Sequence, residues 1–101
     1  MSVSEVTVGE LDGRRDVTII DVREPAEFSD GHVPGARNIP LGTIADHAAE
    51  LRDLGTTVYV ICQSGRRSAQ AAAVLDAADV RVVNVVGGTG AWIATGREVE
   101  S

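Results

Sequence analysis

Lysine is absent from this chain of 101 residues; all 9 basic residues are arginines, set against 15 acids for a formal net charge of -6. The arginines form no run longer than a pair. Nucleic-acid binding needs clustered positive charge, so this balance argues against nucleic acid as a partner. The Arg66–Arg67 pair is too small for such a face but suffices for one small anion. Cysteine occurs once, as Cys62, so no internal disulfide can form and a cross-linked secreted scaffold is excluded. Long apolar runs are missing too. The longest, VYVIC and AAAVL, have five residues each, whereas a membrane helix needs about 20. The opening stretch MSVSEVTVGELDGRR carries acids before any base and no apolar block, so no secretory signal is expected there. These absences point to a soluble protein of a reducing cytoplasm. Two scattered histidines, His32 and His47, with one cysteine give no metal-ligand spacing, and neither metal nor cofactor is expected. Aromatics are scarce, with only Phe28, Tyr59 and Trp92, so the core must be built from Val, Ile, Leu and Ala.

The length suits one domain, 1–101. Three segments read as strands apolar on both faces: VTIID (17–21), TTVYVIC (56–62) and VRVVNVV (80–86). ARNIP (36–40) is weaker and ends at a proline, which suits the margin of a sheet. SEVTV near the N-terminus offers a short fifth strand. Helical patterns alternate with these. EPAEFSDG (24–31) has an early proline, first-turn acids and a glycine stop. In LGTIADHAAELRDLG (41–55), Leu41, Ile44, Ala48 and Leu51 share a face, Thr43 can cap and Gly55 ends the run. SAQAAAVLDAAD (68–79) is a strong helix former, and TGAWIATG (89–96) makes a last short helix. The alternation predicts an α/β fold: a mostly parallel central sheet of about five strands with helices on both faces. Loops DVREP, CQSGRR and GGTGAW then leave the carboxyl ends of the central strands, where ligands bind in open α/β sheets.

Cys62 stands where a strand passes into such a loop and the loop into a helix. The first N–H groups of a helix lack internal partners and carry partial positive charge. Gly65 allows a tight turn that aims further N–H groups at one point, an anion-binding nest, and Arg66 and Arg67 add full charge. A thiolate at that focus is stabilised, so its pKa should fall below the free value of about 8.5 and make it a nucleophile that needs no base. The bland alternative, a cysteine serving as a small buried hydrophobe, does not account for the glycine, the arginine pair and the helix start together.

CQSGRRS resembles the active-site loop of rhodanese-domain sulfurtransferases: a cysteine opening a six-residue loop, Cys62 to Arg67, before a helix. DVREPAEFSDGHVPGARNIP (21–40) is similar to the family's N-terminal signature, and VVGGTGAW (85–92) to its glycine–tryptophan element. The resemblance covers roughly residues 5 to 96. It implies a single rhodanese-like domain and a persulfide mechanism. The Cys62 thiolate takes the outer sulfur of a small anionic donor such as thiosulfate, sulfite leaves, and a thiol or cyanide accepts the sulfur. Gln63, Ser64, Gly65, Arg66 and Arg67 would cradle donor and persulfide.

Other residues have supporting readings. Asp21 and Arg23 buttress the cysteine loop, or Arg23 pairs structurally with Glu24 or Glu27. Gly87 and Gly88 let backbone pass close to the loop where a Cβ would obstruct. Trp92 is a core anchor before it is a crevice wall. Ser64 fills the loop or touches a ligand; Ser68 caps the helix or does the same. His32 forms a turn by resemblance rather than acting as a base, and His47, beside Asp46 and Glu50, is a solvated surface residue. Arsenate or cysteine-phosphatase chemistry ranks lower. Only four residues separate Cys62 from Arg67, one fewer than in those enzymes, and no aspartate general acid is evident. A regulatory module with this fold typically lacks the cysteine. A persulfide carrier loaded by a partner protein shares the chemistry and differs in donor. A redox sensor would lack a resolving cysteine within the chain.

Overall fold

Alternation of apolar side chains along the strands decides the architecture. In a strand successive side chains point to opposite faces, so a segment apolar at every position must be covered twice. The computed structural model describes residues 3–101. In chain order it contains β1 (Ser4–Val6), α1 (Val8–Asp12), β2 (Thr18–Asp21), α2 (Pro25–Asp30), β3 (Arg37–Asn38), a 3-10 stretch (Leu41–His47), α3 (Ala48–Asp53), β4 (Val58–Ile61), α4 (Arg66–Ala77), β5 (Val82–Val85) and α5 (Gly88–Ala94). The strands form one parallel sheet in the order β1-β5-β4-β2-β3. The predicted α/β class, the five strands and the marginal place of the 36–40 segment all agree with this.

Two apolar clusters form, one on each face. Ile20 and Val22, Val58 and Val60, and Val82 meet Ile44, Ala48 and Leu51 on one side, together with Ala71, Ala72 and Leu75 of α4. Ile19, Tyr59, Ile61 and Val85 meet Val8 and Leu11 of α1, Val33 and Trp92 of α5 on the other. Burying each large aliphatic side chain is worth about 1.5–3 kcal/mol. The small alanines on the inner side of α4 bring that helix close to β4 and β5, which fixes where its N-terminus falls. Among the described residues no helix is long and apolar enough to cross a membrane.

The structure corrects several element boundaries. The segment 41–55 is not one helix. It begins as a 3-10 stretch behind Pro40, where Gly42 and Thr43 are weak helix formers, and becomes α-helical only at Ala48. Thr43 does not cap it; its hydroxyl donates to the Pro40 carbonyl at 3.1 Å. Helix α4 starts at Arg66 rather than Ser68, because Gly65 takes a left-handed turn, φ 104°, directly before it. Ser68 is therefore no cap but a buried residue of the first turn. The chain leaves α4 through Asp79 at φ 64°, with the Val80 N–H donating to the Leu75 carbonyl at 2.9 Å. That closing turn delays β5 until Val82. Helix α1 was not foreseen, although Thr7 and Glu10 form a reciprocal capping box at its start.

Candidate active site

The register of the sheet assembles the site. Asp21 lies opposite Ile61, and Val60 lies opposite Asn84, so the chain emerges from β2, β4 and β5 at one edge. The first residue after β4 is Cys62. Its side chain belongs to the α4-side cluster and is 1% exposed. The loop closes over it: the Gly65 N–H donates to Sγ at 3.1 Å and the Ser68 hydroxyl at 3.4 Å. Burial alone would push the thiol up. The Ser68 hydroxyl and the backbone N–H groups of Ser68, Gly65 and Ser64 outweigh it and hold the thiol below its ordinary value. The sulfur is thus covered, but the amides face it.

A second layer holds the loop from beneath. The Thr89 N–H donates to the Cys62 carbonyl at 2.8 Å and the Gly90 N–H to the Gln63 carbonyl at 3.0 Å. The first turn of α5 therefore takes up the loop's carbonyls and leaves its N–H groups free to face the sulfur. Gly88, at φ 60°, permits this approach. A Cβ there would strike the Cys62 carbonyl oxygen and come within 2.7 Å of the Gln63 carbonyl carbon. Gly87, at φ 80°, acts differently from the expectation: its Cβ would meet Ala91 at 2.8 Å rather than the loop. It is Gly65 that abuts this turn, its Cβ position lying 3.4 Å from the Gly87 nitrogen. Asn84, in the middle of β5 and 3% exposed, donates from Nδ2 to the Gly65 carbonyl at 3.4 Å.

Arg23 is buried and pairs with Asp21, not with Glu24 or Glu27. Its Nη2 lies 2.9 Å from Asp21 Oδ2 and its Nε 3.0 Å from Oδ1. The remaining donors reach the Gly31 carbonyl at 2.8 Å and Gln63 Oε1 at 3.3 Å. The pair thus ties β2 and the end of α2 to the cysteine loop. Removing one partner of such a buried pair typically costs about 3–5 kcal/mol, because the other is left uncompensated. Asn38 adds to the buttress, donating to the carbonyls of Asp21 at 3.0 Å and Arg23 at 2.9 Å.

The two loop arginines part company. Arg66 is exposed, as are Gln63 and Ser64. Arg67 turns to α2, where it makes a two-pronged ion pair with Glu27, Nη1 to Oε1 at 2.7 Å and Nη2 to Oε2 at 3.0 Å. The Arg67 hydrogen bonds, against a smaller opposing push from burial, bring the Glu27 carboxyl down to about 2. Trp92 packs in the α1–α5 cluster and donates to the Glu98 carbonyl at 2.7 Å, a core anchor on the face away from Cys62. His32 is stacked on Phe28 with ring centroids 3.6 Å apart, and its backbone pairs with Glu100. His47 is held by Glu50 at 3.0 Å. Neither histidine is hydrogen-bonded to the sulfur. Among the described residues no group of three or more His, Cys, Asp or Glu side chains is placed to hold a metal.

Sequence reading missed Asn38, Asn84 and the contact of Ser68 with the thiol, and it offered Glu27 to Arg23 rather than to Arg67. Asn84 carried a signal, a lone amide inside an otherwise apolar strand. Glu27 carried none beyond its place in the first turn of α2.

Comparison with known proteins adds a lineage to this geometry. The family model described as "Rhodanese-like domain" matches residues 7–95. YrkF of Bacillus subtilis, provisionally named a sulfur carrier protein, is 40% identical over 83 residues, covering 81% of this chain and 44% of YrkF. The chain thus spans less than half the length of that relative. Thiosulfate sulfurtransferase GlpE of Pseudomonas putida is 34% identical over 87 residues, covering 85% of this chain and 78% of GlpE. The crystal structure of a rhodanese-like domain protein from Staphylococcus aureus superposes with a TM-score of 0.85 at 34% identity. It covers 98% of this chain and 100% of that one.

Proposed function

The chain belongs to the rhodanese-like domain family, and on that premise we propose that it is a sulfurtransferase carrying sulfane sulfur as a persulfide on Cys62. The observation that carries the proposal is the convergence of the Gly65 N–H and the Ser68 hydroxyl on Cys62 Sγ. Those donors favour a thiolate, the nucleophile that takes up a sulfane sulfur.

In the first half-reaction the thiolate attacks the outer sulfur of thiosulfate. A Cys62 Sγ–S bond forms, the donor's S–S bond breaks, and sulfite leaves with the bonding pair. In the second, a thiolate or cyanide attacks the outer sulfur and returns Cys62 to the thiolate. No proton need move at the enzyme in either step, so the absence of a histidine hydrogen-bonded to the sulfur is no obstacle. Gln63, Ser64 and Arg66 form the exposed rim that a donor meets. Because Cys62 is 1% exposed, sulfur transfer requires a local opening over the sulfur. Asp21, Arg23, Gly88 and the first turn of α5 keep the loop's amides aimed during it. We take the domain to act as one unit over 1–101, in a reducing cytoplasm where its single thiol stays unpaired.

A second reading has support of its own. The covered thiol and the likeness to YrkF suit a carrier loaded by a partner protein, with the same persulfide chemistry. Phosphatase chemistry is disfavoured because Arg67 is engaged by Glu27 and the loop is one residue short. The test is intact mass after incubation with thiosulfate. A gain of about 32 Da that cyanide reverses and Cys62→Ser lacks is the expected result. Loading only from a protein persulfide would select the carrier reading. Hydrolysis of an aryl phosphate without any gain of sulfur would overturn both.

A further inference from the structure

The charges around the loop do not match a site built for a doubly charged donor. Four arginine and acid side chains meet there in pairs. Arg23 is neutralised by Asp21 at 2.9 Å, and Arg67 by Glu27 at 2.7 Å. Of the arginines of the loop and its buttress, only Arg66, exposed and outside every ion pair among the described residues, presents an uncompensated charge. The reacting sulfur is itself negative once ionised, as attack on a donor requires. Helix α2, capped by Glu24 and ending at Asp30, brings Glu27 to Arg67 in a chain of net charge -6. Arg67 stands in the first turn of α4 beside Ser68, whose hydroxyl donates to Cys62 Sγ at 3.4 Å, so its engagement by Glu27 withdraws positive potential from beside the reaction centre.

We propose that Glu27 is a specificity-determining residue: by engaging Arg67 it sets the loop to accept singly charged sulfane donors, of the thiosulfonate or alkyl persulfide class, in preference to dianionic thiosulfate. The inference rests on the sulfurtransferase reading above and refines its donor. The chemistry is the same for both donor classes. With an alkanethiosulfonate, the thiolate takes the outer sulfur, the S–S bond of the donor breaks, and a sulfinate leaves with the pair. What differs is the charge that must be brought beside a thiolate, −2 for thiosulfate against −1. An unpaired Arg67 would favour the former more strongly.

The experiment compares kcat/KM for thiosulfate and for methanethiosulfonate, with one acceptor thiol, in the wild type, Glu27→Gln, Glu27→Asp and Glu27→Gln combined with Arg67→Gln. Glu27→Gln should raise the thiosulfate-to-thiosulfonate ratio about three- to tenfold at low salt, and added salt should shrink the gain. Glu27→Asp should keep the wild-type ratio, and the double variant should lose the gain. A simple loosening of α2 would change both donors alike and leave the ratio still. An unchanged ratio in Glu27→Gln, with persulfide formed from both donors, overturns this inference and spares the sulfurtransferase reading. Failure of every variant and of the wild type to take sulfur from either donor overturns that reading instead.

Discussion

At the scale of single residues the account turns on what surrounds one sulfur. Burial and hydrogen bonding act on Cys62 in opposite directions, and hydrogen bonding prevails. Ser68 supplies the side-chain part of it, so Ser68→Ala should raise the thiol pKa by about one unit, the worth of one hydrogen bond to a charged group. The rate of alkylation followed against pH reads this directly, and an unshifted profile would leave the amides as the sole stabilisers. Much at this scale was legible. Cys62, Gly65 and the Asp21–Arg23 buttress stand out as residue types in a telling order. What was not legible is which partner each charged side chain chooses. Arg23 has three acids within four positions along the chain, and only the fold shows that Asp21, on the strand end, faces it. Arg67 was read as free charge for the same reason, since its partner lies 40 positions away.

At the scale of elements the site is a junction between two helix N-termini. The first turn of α4 aims N–H groups at the sulfur, and the first turn of α5 holds the loop carbonyls. Gly88 is where these two layers touch. Gly88→Ala forces an L side chain into φ 60° and onto the Cys62 carbonyl, which should destabilise the protein by about 2–3 kcal/mol. It should also slow sulfur loading, because the loop must shift to make room. Urea unfolding and the time course of mass gain measure the two effects, and a variant with wild-type values in both would remove the α5 clamp from the account. The double-glycine signal was legible, but it pointed at both glycines equally, and the structure separates them. Helix boundaries were less legible. Left-handed turns at Gly65 and Asp79 set both ends of α4, and the alanine-rich pattern of 68–79 does not announce those backbone conformations.

At the scale of the whole molecule the parallel sheet does the positioning. Strand order β1-β5-β4-β2-β3 places β4 in the centre, so the cysteine loop emerges between the loops that follow β2 and β5. Alternating strand and helix patterns made this architecture readable before any coordinates, because strands apolar on both faces admit few arrangements. The thiol also links folding to pH. Its pKa is lower in the folded than in the unfolded chain, so the stability it contributes is fully present above the unfolded value, about 8.5, and is lost as pH falls through the folded value. The difference in unfolding free energy between wild type and Cys62→Ser should therefore grow in favour of the wild type as pH rises through that window, then level off. Parallel stability curves would mean that the folded thiol is no better stabilised as an anion than the unfolded one.

The most direct measurement is the ionisation of the sulfur itself. Cys62 is the only cysteine, so the thiolate ultraviolet absorbance of the wild type minus that of Cys62→Ser reports one group alone. The account predicts a midpoint below the free thiol value of about 8.5. A midpoint at or above that value would contradict it.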